Sequence, residues 1–133
     1  MPDLPFRELV EIMARLRAPD GCPWDREQTA EDLSRYLREE SEEVARAVAS
    51  GDPAAVCEEL GDMLFNLIHL ARIAEERGEF AIGDVIRGAK EKIVRRHPHV
   101  FGGERATTTE EVLAHWNRVK SEEKAARKGR AVE

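Results

Sequence analysis

Apolar residues in this chain recur every three or four positions, and the runs they form end at prolines or glycines. Phe6, Leu9, Val10, Met13 and Leu16 make the first run, and Leu33, Leu37, Val44 and Val48 the second. Val56, Leu60, Met63 and Leu67 make the third. This spacing lines one face of an α-helix, and no alternating stretch of strand length is present. The expected fold class is therefore all-α: a compact bundle of about five helices, with short connections that set neighbouring helices antiparallel.

Local signals set the boundaries. A first helix is expected over residues 5–16, stopped by Pro19, Gly21 and Pro23. A second is expected over 29–50, with Thr29 and Asp32 spaced as a capping box and Gly51 as its stop. Asp52-Pro53 reads as the cap and first residue of a third helix, which reaches residue 77 before Gly78. The second half of that helix is apolar on most sides, so a central position is expected. A fourth helix is expected over 84–96, stopped at His97-Pro98-His99. Thr108 and Thr109 offer a cap for a fifth, reaching residue 124.

The chain has 133 residues, enough for one ordinary core. Residues 1–126 are expected to form a single domain, and 127–133 a flexible polar tail. A net charge of −6 argues against a general nucleic-acid binder, which needs a basic surface. The longest apolar stretch, residues 63–74, is broken by Asn66, His69 and Arg72, so no membrane span is expected. The N-terminal residues show no charged-then-apolar signal pattern. Cys22 and Cys57 form no Cys-x-x-Cys pair and read as reduced thiols of a cytoplasmic protein.

The acidic residues are placed oddly for solvated helix faces. At about 100° per residue, Glu40 falls inside the stripe between Leu37 and Val44. Glu43 falls at its edge and Glu39 a little further round, whereas Glu42 points away. In the next helix, Glu59, Asp62 and Asn66 share one flank of the stripe. Unpaired carboxylates in a core cost several kcal/mol each by rough reckoning, and several together repel. A hard divalent cation resolves both problems, because Mg²⁺ takes carboxylate oxygens, waters and substrate phosphates. The plainer alternative is a charged face salt-bridged to nearby arginines.

Lys90, Lys92, Arg95, Arg96 and His97 make a basic cluster at the end of the fourth helix. They either complement the helix dipole or reach substrate phosphates. Lys120, one turn after Trp116, is a further phosphate candidate or an ordinary exposed lysine. Trp24 and Trp116 read as packing residues rather than as platforms for a base. Cys22 reads as structural, and His97 and His99 as turn-shaping.

Taken in order, these residues resemble the MazG-like nucleoside triphosphate pyrophosphohydrolases. The resemblance rests on Gly21-Cys22-Pro23-Trp24-Asp25 with Gln28-Thr29, on Glu39-Glu40-x-x-Glu43 and on Glu58-Glu59-Leu60-Gly61-Asp62. It continues through Arg95-Arg96-His97-Pro98-His99-Val100-Phe101-Gly102 and Trp116-x-x-x-Lys120. It implies hydrolysis of NTPs and dNTPs between the α- and β-phosphates, giving a monophosphate and pyrophosphate. It implies a homodimer or larger homo-oligomer, with oligomerisation completing a four-helix core. It places metal ligands on Glu39, Glu40, Glu43, Glu59 and Asp62, with Mg²⁺ as the ion and Mn²⁺ as a substitute. It places substrate-phosphate contacts on Arg95, Arg96 and Lys120. Within that set, Glu40, Glu43, Glu59 and Asp62 are assigned to the inner metal shell and Glu39 to orienting the attacking water. The alternatives are a specialised dUTP, dCTP or phosphoribosyl-ATP pyrophosphohydrolase, and a nucleotide-binding regulator without turnover. A ferritin-like redox site is disfavoured, because it needs Glu-x-x-His on two helices and His69 has Asn66 three residues earlier.

Overall fold

A computed structural model describes the backbone of residues 3–132 and the side chains of residues 4–129. Met1, Pro2 and Glu133, the extremes of the N-terminal stretch and of the expected tail, lie outside the described residues. Among the described residues the fold is all-α, with seven helices and no strand. They are α1 (Asp3–Leu16), α2 (Pro23–Glu27), α3 (Ala30–Ser50), α4 (Pro53–Glu76), α5 (Ile82–Arg95), α6 (Pro98–Phe101) and α7 (Thr109–Val132). None of them is long and apolar enough to cross a membrane. The chain divides into two compact units, the first ending at Ile82 and the second beginning at Gly83.

In the first unit the capping chemistry acts where the sequence puts it. Thr29 Oγ1 accepts from the Asp32 amide at 3.2 Å, and the Thr29 amide donates to the Asp32 carboxylate at 2.9 Å. These bonds to Thr29 hold the Asp32 carboxyl below its ordinary pKa. α3 stops at Gly51, whose φ of 74° is the left-handed conformation that glycine adopts without a Cβ penalty. Asp52 then caps α4 by accepting from the Ala54 amide at 3.0 Å, with Pro53 in the first turn. The two-residue link folds α4 back along α3, and this is the most extensive helix pairing in the molecule. α1 also packs on α4.

The core of this unit takes one fully buried large side chain from each of its three long helices: Met13, Leu33 and Ile68. Ala47, Ala71, Ile73 and Ala74 complete it, so the second half of α4 is indeed central. Other stripe residues depart from expectation. Val48, Leu60 and Leu67 are 61%, 51% and 47% exposed.

The segment before α3 is more ordered than its prolines and glycine imply. Pro23 starts α2, a single turn; Asp25 within it and Gln28, which caps its C-terminal end, are buried. Arg17 ties this turn down by donating to the backbone carbonyls of Asp25 at 2.6 Å and Gln28 at 3.2 Å. Its guanidinium also pairs with Glu76 at 2.5 Å. The buried His69 ring lies with Nε2 3.2 Å from the Asp25 carbonyl oxygen. Burial pushes the His69 pKa down, which keeps the ring neutral. Trp24, expected to pack inside, is instead 54% exposed, because Asp25 and Gln28 occupy the inner side of the turn. One face of its indole stacks on Tyr36, with ring centroids 5.9 Å apart.

Gly21 serves close approach here. A Cβ at this position would lie 2.3 Å from the Leu16 carbonyl oxygen and 2.4 Å from that of Arg15. Those are backbone atoms and cannot rotate away. Gly21→Ala is expected to cost roughly 1–3 kcal/mol through forced backbone movement. Urea unfolding followed by circular dichroism would measure it, and an unchanged midpoint would contradict the close approach.

The second unit holds α5, α6 and α7. α5 has no buried residue, and Val85, Ile86, Ile93 and Val94 are each more than 40% exposed. After the expected stop at His97, Pro98 starts the one-turn helix α6, where the sequence suggests only loop. The Thr108 hydroxyl caps α7, accepting from the Glu111 amide at 3.2 Å. α7 passes residue 124 and reaches Val132. Its C-terminal stretch is rich in Ala, Lys, Glu and Arg, whose helix propensity favours continuation without an apolar stripe.

Candidate metal centre

α3 presents Glu39, Glu40 and Glu43, and α4, folded back on it, presents Glu59 and Asp62. The structure brings three of these five together. Glu40, Glu59 and Asp62 each offer a carboxylate oxygen, and the three atoms lie within 4.8 Å of one another. Glu40 and Glu59 are partly buried, and Asp62 is exposed. Glu40 Oε1 is fully buried and finds no hydrogen-bond partner among the described residues. The place of Glu40 inside an apolar stripe thus corresponds to a real burial.

Glu43 lies beside the trio, close enough for its charge to act on Glu40. Its own carboxylate pairs with the exposed Arg46. Glu39 is exposed, its charge felt by Arg35, and it stands outside the trio.

The electrostatics of the trio are unfavourable without a cation. The Glu40 carboxyl is raised from 4.5 to about 7. The largest cause is the adjoining Glu59 carboxyl, which can share a proton with Glu40 but offers it no donor once both are ionised. Burial comes next, followed by the negative charges of Glu59, Asp62 and Glu43. A buried oxygen with no donor, facing two further carboxylates, is what an oxygen-liganded divalent cation satisfies. The donor set contains no sulfur or imidazole, which fits a hard ion such as Mg²⁺.

The basic candidates lie in the second unit. Arg96 is only 7% exposed. It donates to Glu123 Oε2 at 2.9 Å and stacks over Trp116, 4.9 Å from the ring centroid. Arg95 donates to Glu123 Oε1 at 2.6 Å, but half of its side chain remains exposed. Hydrogen bonds from Arg96 and then Arg95 pull the Glu123 carboxyl down to about 2. Lys120 is exposed. His97 shapes the turn as expected, with Nδ1 2.6 Å from the Ile93 carbonyl oxygen.

Glu123, which anchors both arginines, was not among the residues expected from the sequence. Nothing local marks it, since it sits 27 and 28 residues away from them, among other charged residues of α7. Arg17 was not expected either. A signal existed there, because an arginine ending an amphipathic helix just before a Pro/Gly turn is placed to close that turn through its carbonyls.

The model of the MazG nucleotide pyrophosphohydrolase domain matches residues 28–101, more than half of the chain and all five acidic candidates. The chain belongs to the MazG family. A MazG-related protein from Thermotoga maritima, known from its crystal structure, shares the fold with a TM-score of 0.74 and 34% identity. That likeness covers 86% of this chain and 98% of the other. Among curated MazG relatives, the T. maritima nucleoside triphosphate pyrophosphohydrolase/pyrophosphatase MazG is 46% identical over 92% of this chain. The Escherichia coli K12 nucleoside triphosphate pyrophosphohydrolase is 45% identical over 88%. The aligned region is 47% and 45% of those two proteins, so this chain spans about half the length of the curated relatives it matches. The MazG match contains Arg95 and Arg96, whereas Trp24 and Lys120 fall outside it.

Proposed function

We propose that this chain hydrolyses nucleoside triphosphates at the α–β bond, with a divalent cation held by Glu40, Glu59 and Asp62. The observation that carries the reading is the buried, partnerless Glu40 Oε1 beside two further carboxylates. The names of the MazG relatives support the substrate class. Mg²⁺ is the proposed ion, with Mn²⁺ able to replace it, since both take octahedral oxygen ligands.

When bound, such a cation neutralises phosphate charge and lowers the pKa of a bound water. The chain's own groups complete the reaction. Glu43, next to the trio, extends its negative field and is a fourth ligand once Arg46 is released. Glu39, exposed on the same helix, is the proposed group for orienting the attacking water and receiving its proton. The water oxygen bonds to the α-phosphorus, the α–β bridging bond breaks, and pyrophosphate leaves with the electron pair. Arg95, Arg96 and Lys120 are the proposed contacts for the departing phosphates. Arg95 and Lys120 are the exposed members of that set, and Arg96 holds its place against Trp116 and Glu123.

Oligomerisation is part of the same proposal. Leu60, Leu64 and Leu67 lie on one side of α4 and are each more than a third exposed in a single chain. A second copy covering this face would complete a four-helix core around the acidic helices.

The test is product analysis. Purified protein with Mg²⁺ and each NTP and dNTP is expected to yield monophosphate and pyrophosphate, resolved by ion exchange. Chelation should abolish turnover, and added Mg²⁺ or Mn²⁺ should restore it. Diphosphate and orthophosphate would mean that a different bond is cut. Turnover of a single nucleotide would make the enzyme a specialised one, and binding without turnover would make it a regulator.

A further inference from the structure

Trp24 is held rigidly yet left open. Its backbone carbonyl accepts from Gln28 Nε2 at 2.9 Å, and the next carbonyl, that of Asp25, is bound by Arg17. The turn that carries the indole is thus anchored in the core, while the indole itself is 54% exposed. A large aromatic ring fixed at a surface gives up apolar burial that an inward rotamer would gain. One face is covered by Tyr36, and the Arg35 guanidinium sits over the Tyr36 ring, 5.0 Å from its centroid.

Position along α3 gives the pair its meaning. Tyr36 is one helical turn before Glu40, on the same face and about 6 Å along the axis. That step resembles the one from the base of a nucleotide to its first phosphate. We propose that the open face of Trp24, backed by Tyr36, is the stacking platform for the nucleobase, and that Trp24 sets affinity for the base without choosing among bases. The inference rests on the nucleotide reading above. Every purine and pyrimidine presents a π-face, so a platform of this kind tolerates all of them.

Base–aromatic stacking is worth a factor of about ten or more in binding. Trp24→Ala is expected to raise KM for ATP, GTP, CTP and UTP by about tenfold or more, with kcat nearly unchanged. Trp24→Phe should recover most of the affinity. Inhibition by inorganic tripolyphosphate, which has no base, should be the same in wild type and Trp24→Ala. A second measurement needs no turnover. In the wild type, AMP should quench a part of the tryptophan fluorescence that Trp24→Ala removes, and ribose 5-phosphate should not. Loss of turnover with AMP quenching intact would overturn the hydrolase reading and leave the platform standing. Equal weakening of tripolyphosphate and nucleotides by Trp24→Ala would overturn the platform. So would failure of AMP to quench, or shielding of Trp24 from acrylamide in the free protein, which would show the ring covered by a second copy.

Discussion

Glu59→Gln and Glu40→Gln should each lower NTP turnover by about 100-fold or more, with the helical circular dichroism spectrum unchanged. Altering a group that merely supports a metal ligand typically costs about 10- to 100-fold. Removing a ligand charge should cost at least the upper end of that range. Glutamine keeps the shape of glutamate, so packing between α3 and α4 is preserved. The two substitutions should also change metal-free stability in the opposite direction to activity. At pH 8, above the Glu40 pKa of about 7, the Glu40 carboxylate faces the negative charges of Glu59 and Asp62. Either substitution removes one of these charges and relieves their repulsion, so the melting temperature should rise.

The pH dependence separates this account from a general loss of structure. Glu40 has its folded pKa raised from 4.5 to about 7. Its proton therefore contributes stability that is fully present below 4.5 and is lost as pH rises through about 7. Metal-free wild type should melt at a lower temperature at pH 8 than at pH 5, and Glu40→Gln should remove much of that difference. Mg²⁺ should restore the wild type at pH 8, because the ion replaces the proton. Calorimetric scans at the two pH values, with and without Mg²⁺, would check this. A Glu40→Gln protein that is less stable at pH 8 and equally active would sink the metal-centre assignment.

Leu33→Ala should destabilise the first unit by about 3 kcal/mol, within the roughly 2–5 kcal/mol seen for leucines deleted from cores. Leu33 is 0% exposed and belongs to the helix that carries Glu40. The removed atoms lose their transfer free energy, and a neighbourhood built on helices pinned at their caps collapses poorly into the void. Denaturant unfolding should show a lower midpoint with the slope unchanged. A loss below about 0.5 kcal/mol would be typical of a surface position and inconsistent with this core. Because α3 also carries the acidic residues, some loss of metal affinity should accompany the loss of stability.

The sequence by itself determined the three long helices of the first unit, the cap and stop of α3 and the start of α4. Thr29 with Asp32, Gly51 and Asp52-Pro53 are local devices whose partners lie within four residues, so their chemistry is visible in one dimension. It also placed Glu40 inside an apolar stripe, because helical phase follows from spacing alone. The single turns α2 and α6 escaped it, since a proline that ends one helix also starts the next.

Only the tertiary structure decided which acidic groups meet. Glu39, Glu40, Glu43, Glu59 and Asp62 are all ligand candidates in the sequence, and the fold-back of α4 on α3 gathers Glu40, Glu59 and Asp62 while leaving Glu39 exposed. It likewise decided that Arg96 is buried against Trp116 with Glu123 as counter-ion, and that Trp24 faces out. The reason is range. A cap or a stripe is set by neighbours a few residues away, whereas burial and ion pairing depend on residues tens of positions distant, whose approach only the packing of whole helices fixes.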